Sequence, residues 1–484
     1  MICFLSYLSC VAGLVKKQGN ACGAKGPAPK RRDSGQHSPD TEPEIKGMGT
    51  KLDLITRRAK ADRSCKFNNL MHLVNEAGLR ECFTKLKKDK ASGVDEKTFA
   101  DYAADLSGNL ARLLEEMKRM SYRPQPARRV YIPKDNGKMR PLGIPTIEDK
   151  LVQLAFTRIL EAIFEPDFAE FSYGFRKGRN CHQALARIDR AIMWRPTNYV
   201  IDADIKGFFD NVSHEWLRRC LEQRITDQKF IRYVMRFLKS GIMEDGKCLE
   251  TVAGTPQGGI ISPVLANIYL HFVLDRWFVR RQVKEIAGYA EMIRYADDFV
   301  ICVEKGETAN RILMELRERF AKYGLELSEE KTRIVKFGKK QAQDDDAESN
   351  DDKPGAFNFL GFTHFWGKGR NGAMRLKRKT EKKRYAKAVK KVQNWLKMWR
   401  NQLPQPQLWD TVSLMMKGHY RYFGVNDNIR ILNLYHDTVL KMLFKWLNRR
   451  SQRNSLNWEE YMRYLERFPL PKPRIYNDLY KLAF

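Results

Sequence analysis

The feature that most constrains the fold is a pair of adjacent aspartates inside a strongly apolar segment. The segment from Met292 to Val303 reads MIRYADDFVICV and carries Asp297 and Asp298 at its centre. Two short apolar runs around a tight turn predict a β-hairpin, in which adjacent like charges repel each other. We therefore expect something positive beside this hairpin. Because aspartate is common in turns, the segment by itself leaves a plain hairpin turn open.

A second acidic segment supplies further carboxylates. The segment from Tyr199 to Ile205 reads YVIDADI, and the alternation of side chains along a strand places Asp202 and Asp204 on one face. Carboxylates on paired strands offer hard oxygen ligands, which suit Mg²⁺ together with substrate phosphates. Two such ions stabilise the attacking and leaving oxygens of a phosphoryl transfer. The two strands therefore predict a magnesium site for phosphoryl transfer.

The charge of the chain predicts a polyanionic partner. The 484 residues include 88 Lys and Arg against 58 Asp and Glu, a net charge of +30, which is more than solubility requires. Residues 361–484 hold 27 of the basic residues and only 8 acidic ones, so this last quarter is expected to face phosphates. The nine cysteines lack zinc-ligand spacing, which is typical of free thiols in a reducing compartment.

The composition divides the chain into four regions. Residues 1–50 combine a short apolar run with a Gly- and Pro-rich stretch, which indicates a disordered or mis-assigned extension. Residues 51–130 show helical patterns. In residues 131–375, short β-branched runs alternate with turns and helices, and an acidic surface loop is expected at 340–356. Residues 376–484 form a basic helical module, so the fold class is α+β with an all-helical C-terminal part.

Seven motifs occur in order along the chain. They are IPKDNGKMRPLGIPTIEDK (132–150), FSYGFRKGRNCHQAL (171–185), DADIKGFFDNVSHEWL (202–217), GTPQGGIISPVLANIYL (254–270), RYADD (294–298), LSEEKT (327–332) and FNFLGF (357–362). In this order they resemble the group II intron-encoded reverse transcriptases and maturases of bacteria and organelles. The resemblance implies a right-hand polymerase fold, with fingers and palm on an antiparallel sheet and then a helical thumb and maturase domain. It also implies RNA-directed DNA polymerase activity with a role in intron splicing and mobility.

The resemblance assigns the metal site to three aspartates. Asp204, Asp297 and Asp298 match the family's catalytic metal ligands, for two Mg²⁺ ions with Mn²⁺ as a substitute. Asp202 matches less securely. Asp210 is better explained as a turn or cap residue near a helical run and is left out of the site.

Further matches concern the incoming nucleotide. They are Lys134, Arg140, Phe209, Gln257 and Lys331. An ammonium and a guanidinium fork suit a triphosphate, and Phe209 is expected to stack under the sugar and exclude a 2′-hydroxyl. The glycines beside Gln257 would let main chain approach a base pair closely. Exposed basic residues and a core aromatic are the structural alternatives.

Primer and template matches lie towards the C-terminus. Gly361 corresponds to a position near the primer end, and Arg421 and Tyr422 lie in the maturase signature GHYRYFG. Aromatic rings beside positive charge suit RNA stacking, although each ring fits a helical core equally well. His182 is assigned no chemistry. The implied partners are template and intron RNA, a DNA primer or target, and dNTPs, and a homodimer is left open.

Other functions stay open at this stage. One is a splicing factor that binds RNA without polymerising. Others are an RNA-directed RNA polymerase and a reverse transcriptase turned to host defence or repair. Many relatives append a Cys-paired endonuclease, and because that pattern does not occur before Phe484, we do not expect target-strand cleavage by these residues. Without a signal peptide or a membrane span, we expect a bacterial cytoplasmic or organellar protein that is not secreted and has no membrane partner.

Overall fold

The structure is a computed structural model of the chain. It describes residues 48–133, 139–244, 247–249, 253–255, 258–286, 288–339, 354–369, 371–450 and 456–482. Of the sequence predictions, residues 1–47, Lys134, Gln257 and residues 340–353 of the acidic loop lie outside the described residues. Arg140 belongs to a described strand, but its side chain is outside the description.

The chain begins with a group of short helices. These are α1 (Met48–Ala61), α2 (Glu76–Lys85), α3 (Phe99–Ala104) and α4 (Leu106–Lys118). Side-chain caps set their starts: Asn75 accepts a hydrogen bond from the amide of Gly78, and Asp105 accepts one from Gly108, which satisfies amide groups that have no partner within the helix. A 3₁₀ turn covers Met71–Leu73.

The first sheet follows these helices. Its strands are β1 (Ala127–Pro133), β2 (Met139–Ile144), β4 (Ile242–Glu244) and β5 (Lys247–Leu249), in the order β2-β1-β4-β5. After β2, Thr146 caps helix α5 (Ile147–Phe164). This helix is buried on most of its surface, because it passes through the larger of the two apolar cores.

The second sheet has the order β6-β7-β3-β8 and is antiparallel throughout. Its strands are β3 (Tyr199–Asp204), β6 (Ala290–Tyr295), β7 (Asp298–Val303) and β8 (Arg333–Lys336). Strand β7 is buried from Phe299 to Val303, since it lies between two other strands and both of its faces are covered. This sheet therefore forms the rigid base from which the acidic residues project.

Helices cover this sheet and connect its strands. They are α6 (Cys181–Met193), α7 (Phe208–Asn211), α8 (His214–Glu222), α9 (Gln228–Lys239), α10 (Ser262–Leu270), a π-helical turn (His271–Asp275), α11 (Arg276–Lys284) and α12 (Gly306–Lys322). Ile201, Phe299 and Ile301 from the sheet pack into the larger core, while Val200 and Val300 pack into a second core on the other face.

The second core joins the sheet to the C-terminal part. A third sheet of β9 (Phe357–Phe359), β10 (Phe362–Lys368) and β11 (Met374–Thr380) precedes helices α13 (Lys382–Trp399), α14 (Gln405–Phe423), α15 (Ile429–Leu447), α16 (Trp458–Arg467) and α17 (Leu479–Leu482). Met416, Leu432 and Tyr461 fill this core with residues from α6. The predicted α+β class, with antiparallel sheets followed by a helical module, is confirmed, and one parallel pairing, β1 with β4, occurs in the first sheet.

Within the described ranges, no helix combines the length and apolar character that crossing a bilayer requires.

Candidate functional site

The two adjacent aspartates stand at a two-residue turn. Tyr295 at the end of β6 pairs with Asp298 at the start of β7, so only Ala296 and Asp297 connect the strands. Ala296 has a φ of 59°, which is unusual for a residue with a side chain. The predicted hairpin is therefore present, with Asp297 in its turn and Asp298 already in the strand.

The register of the sheet brings the other acidic segment to the same place. Asp204, the last residue of β3, lies directly opposite Asp298. Asp202 lies two residues earlier, on the same face as Asp204, and pairs with Arg333 of β8 on the other side. Because directly opposed residues of antiparallel strands point to the same face, these aspartates share one end of one face of the sheet.

The carboxylates influence one another electrostatically. Burial raises the pKa of Asp298 well above its usual range, and the charges of Asp297, Asp202 and Asp204 raise it further. Burial also raises the pKa of Asp202 to about 6, against the opposing effect of Arg333, whose Nε lies 3.7 Å from Asp202 Oδ2. Burial thus disfavours the charged forms of Asp298 and Asp202, and repulsion from neighbouring carboxylates adds to that effect.

Lys331 supplies a cation at this end of the sheet. Its Nζ lies 2.6 Å from Asp204 Oδ2, and its side chain is mostly exposed. Within the described part of the chain, no three His, Cys, Asp or Glu side chains are already arranged as a metal site. The donor set still fits a hard divalent cation, because its ligands are carboxylate oxygens whose mutual repulsion a cation would relieve. A bound cation would compete with Lys331 for Asp204.

Phe209 lies on helix α7, shortly after strand β3 ends at Asp204. Its half-buried ring contacts Phe175 edge to face, with 6.4 Å between centroids. Its carbonyl accepts a hydrogen bond of 2.7 Å from the amide of Thr255, and a Cβ on Gly254 would lie 2.8 Å from that same carbonyl oxygen. The start of the GTPQGG motif is therefore packed directly against the backbone of Phe209.

Two glycines of that motif, Gly254 and Gly258, lie close to protein backbone. Gly258 has a φ of 113°, and a Cβ there would lie 2.4 Å from the carbonyl oxygen of Gly143 at the end of β2. We expected these glycines to let main chain approach a base pair. At Gly258 the close approach seen in the structure is to β2 of the first sheet, and the approach to a base pair stays a prediction.

Gly361 occupies the turn between β9 and β10. Leu360 and Gly361 have φ values of 51° and 79°, and Phe359 pairs with Phe362, which describes a two-residue hairpin turn with two left-handed residues. The carbonyl of Gly361 accepts a 3.0 Å hydrogen bond from Glu381 at the start of α13. Glycine is therefore favoured here by the turn itself.

Known proteins match this chain over the region that contains these motifs. A family model described as "Reverse transcriptase (RNA-dependent DNA polymerase)" matches residues 132–364. The "Group II intron-encoded protein LtrA" of Lactococcus lactis subsp. cremoris is 37% identical over 303 residues, 50% of this chain and 50% of that protein. "Protein YkfC" of Escherichia coli strain K12 is 34% identical over 282 residues, 51% of this chain and 73% of that protein.

The chain belongs to the group II intron reverse transcriptase and maturase family. Another relative is the "Nuclear intron maturase 4, mitochondrial" of Arabidopsis thaliana, 28% identical over 130 residues, 27% of this chain and 16% of that protein. This family member spans about half the length of LtrA. Its α+β part is a polymerase fold followed by a helical region, and reverse transcriptases in general use divalent metal ions.

The segment GHYRYFG, which resembles the family's maturase signature, lies at the C-terminal end of helix α14. The rings of Tyr420 and Phe423 are buried in the second core, so the helical-core alternative applies to both. Tyr422 is half-buried, and its hydroxyl donates a 3.0 Å hydrogen bond to the carbonyl of Leu360. Its own carbonyl accepts one of 2.8 Å from His182 Nε2. Tyr422 thus ties α14 to the β9–β10 turn and to α6.

A basic cleft opens beside the same helix. Its volume is about 470 Å³, and it is lined by Lys417, Arg421, Pro471, Lys472, Pro473, Arg474 and Tyr476. Arg421 is exposed at its edge, as are both lysines and Arg474. An open cleft with four cations and one tyrosine has the chemistry to accept a phosphate backbone.

The sequence reasoning assigned no role to Arg294, which precedes the YADD turn. The structure buries this arginine completely and pairs it with Asp275, which is equally buried. The signal in the sequence was a charged residue within the short apolar run Met292–Tyr295, since such residues are almost never fully buried without a partner. The partner could not be identified, because Asp275 lies 19 positions earlier in the chain on a different element.

Proposed function

We propose that this chain is an RNA-directed DNA polymerase that also binds intron RNA and assists its splicing and mobility. The observation that carries the proposal is the register of β3 against β7, which sets Asp204 opposite Asp298 at the turn that holds Asp297. Rigid strands present these carboxylates at the open end of a sheet, where a substrate phosphate can reach them. In this proposal the reaction joins the 3′-oxygen of a primer to the α-phosphorus of a dNTP and releases pyrophosphate.

In this proposal Asp204, Asp297 and Asp298 hold two Mg²⁺ ions, for which Mn²⁺ can substitute. Bound Mg²⁺ would supply the positive charge that stabilises the attacking and leaving oxygens. The protein's part is to hold the carboxylates fixed against a sheet. Lys331, which pairs with Asp204, has the charge and the exposed position to move from the carboxylate to a phosphate of the incoming dNTP.

The incoming nucleotide is proposed to lie between the second sheet and the first. Lys134 and Arg140 would neutralise its triphosphate, and Gln257 would contact the nascent base pair. Phe209 would pack under the sugar and leave no room for a 2′-hydroxyl. Its ring is only half-buried, and this supports that role because part of the ring can reach a bound sugar.

The chain is proposed to have three domains: helical fingers at 51–130, fingers and palm at 131–375, and thumb and maturase at 376–484.

The helical C-terminal part is proposed to hold RNA. Arg421, at the edge of the basic cleft, would contact template or intron RNA, while Tyr422 and Gly361 would fix the surface that faces the primer. The substrates would place the protein in a bacterial cytoplasm or an organelle, and a homodimer is compatible with this assignment.

Primer extension on an RNA template tests the proposal. Wild type should incorporate dNTPs with Mg²⁺, and Asp297→Asn should abolish incorporation because the amide removes the ligand charge without changing its size. Glu326→Gln is the matched control, since Glu326 makes an exposed ion pair with Lys206 beside β3 and its loss should leave the rate unchanged. Equal extension by wild type and Asp297→Asn would refute the metal assignment.

A second function is favoured by the basic cleft. This function is a splicing factor without polymerisation. It would be indicated if the wild-type protein extends no primer but binds intron RNA in a way that depends on Lys417 and Arg421. Filter binding of intron RNA, run beside the extension assay, separates the two functions.

A further inference from the structure

Arg294 is held in a complete set of contacts beneath the acidic turn. Its side chain is fully buried and forms a two-pronged ion pair with Asp275, at 2.8 Å from Nε to Oδ1 and 2.5 Å from Nη2 to Oδ2. Its remaining nitrogen, Nη1, donates to the carbonyl of Ala296 at 2.9 Å and to Asn267 Oδ1 at 3.2 Å. The guanidinium therefore connects two other elements to the turn.

The same strand is held along its outer edge by the segment Phe171–Gly174. The amide of Arg294 donates to the carbonyl of Phe171, and the amide of Tyr173 donates to the carbonyl of Arg294, each at 2.8 Å. Asn267 Nδ2 donates to the carbonyl of Gly174 at 2.8 Å. Asn267 thus contacts both the guanidinium and the segment that backs the turn. Three of the ordered sequence motifs meet at this point.

A buried ion pair is a poor device for stability. Removing two charges from water is costly, and an apolar pair of similar volume is often as stable or more so. Asp275 also ends a π-helical turn, His271–Asp275, a local irregularity that is frequent near functional sites. The network therefore has its main effect on geometry.

The carbonyl that Arg294 binds has a specific consequence. It belongs to the peptide bond between Ala296 and Asp297, so fixing its direction orients the backbone on which Asp297 stands. Ala296 has the left-handed φ of 59°, a conformation that persists only where the surroundings impose it. Arg294 supplies that constraint from inside the protein.

We propose that Arg294 is a positioning residue of the polymerase site, which with Asp275 and Asn267 sets the turn so that Asp297 and Asp298 face the substrate phosphates. This inference rests on the proposed polymerase function. Arg294 itself touches no substrate, and it acts through the carbonyl of Ala296.

The test replaces the ion pair by an apolar pair, Arg294→Met with Asp275→Leu. The matched control is Arg378→Met with Asp189→Leu, a second buried pair with 2.6 Å between Nη2 and Oδ1. Readouts are the melting temperature, kcat and KM for dNTP, and Mn²⁺ affinity by electron paramagnetic resonance. The control should keep kcat within about threefold. The Arg294 pair should lose about 100-fold in kcat with little change in KM, as expected for a displacement of about 1 Å at the reacting groups, and should bind Mn²⁺ more weakly.

Arg294→Lys keeps the test decisive if the double variant does not fold. A lysine retains the charge opposite Asp275, but a single ammonium does not reproduce the planar fork that also reaches Ala296, so kcat and Mn²⁺ affinity should still fall. Wild-type kcat and Mn²⁺ affinity in a folded Arg294 variant would overturn the inference. If wild type itself extends no primer, the proposed function fails. Mn²⁺ binding then still tests the positioning role: weaker binding by the Arg294 variants supports it, and unchanged binding overturns it.

Discussion

Replacing Gly174 by alanine should displace the turn that carries Asp297. A Cβ at this position would lie 2.2 Å from the amide nitrogen of Ala296 and 2.9 Å from its Cα. Ordinary van der Waals contact begins at 3.4 Å, and both nearest atoms are backbone, which cannot rotate away as a side chain can. The turn or the segment behind it must therefore move by about 1 Å.

The size of the effect follows from that displacement. Overpacking of this kind costs about 1–3 kcal/mol of folding free energy. A shift of about 1 Å in a group that orients reacting atoms lowers a rate about 100-fold. Because Asn267 donates to the carbonyl of Gly174, the same shift should also disturb the Arg294 network. The loss of activity should thus exceed what the loss of stability explains.

The assay compares Gly174→Ala with Gly178→Ala in primer extension and thermal unfolding. Gly178 lies in the same segment with a φ of 76° and nothing within 4 Å of an added Cβ, so its substitution costs about 1–2 kcal/mol of backbone strain without touching the turn. We expect similar melting temperatures for the two variants but a far lower kcat for Gly174→Ala. A kcat for Gly174→Ala within threefold of the control would refute the reasoning.

Three further predictions concern the nucleotide, the stability and the RNA. Phe209→Ala should raise incorporation of ribonucleotides relative to deoxyribonucleotides, measured as the ratio of the two kcat/KM values. An unchanged ratio would show that Phe209 does not exclude the 2′-hydroxyl. Burial raises the pKa of Asp149 from 3.8 to about 6, so its contribution to stability is complete below pH 3.8 and is lost as the pH rises through 6. Relative to Asp149→Asn, the wild-type free energy of urea unfolding should therefore fall by roughly 1 kcal/mol between pH 5 and 7, and a constant difference would contradict this. Arg421→Gln should weaken intron RNA binding and lower the slope of log K against log salt by about 0.7 for a single-stranded contact, whereas an unchanged slope would show that Arg421 meets no phosphate.

Much of the site followed from local patterns. The alternation of YVIDADI placed Asp202 and Asp204 on one face, and the two apolar runs around ADD predicted a hairpin that the structure confirms. The α+β class and the family were also accessible, because ordered motifs and strand periodicity are properties of short segments. Site roles for Lys331 and Phe209 stay predictions, although Lys331 does lie beside a carboxylate of the cluster.

Other features depend on contacts between distant segments. No periodicity specifies that Asp204 pairs with Asp298, because register is set by how whole strands pack on their neighbours. The same holds for Gly258, whose missing side chain serves an approach to Gly143, and for Tyr420, whose ring the helix turns into the core.

The sequence by itself thus determined which residues can carry the chemistry: apolar strands that end in carboxylates, and a basic C-terminal quarter. Only the tertiary structure decided how those carboxylates are held, through Gly174 behind the turn and Arg294 with Asp275 beneath it. The physical reason is that strand periodicity acts over a few residues, whereas a buried charge must find its partner wherever the fold brings one. For Arg294 that partner comes from the end of a helix 19 residues away.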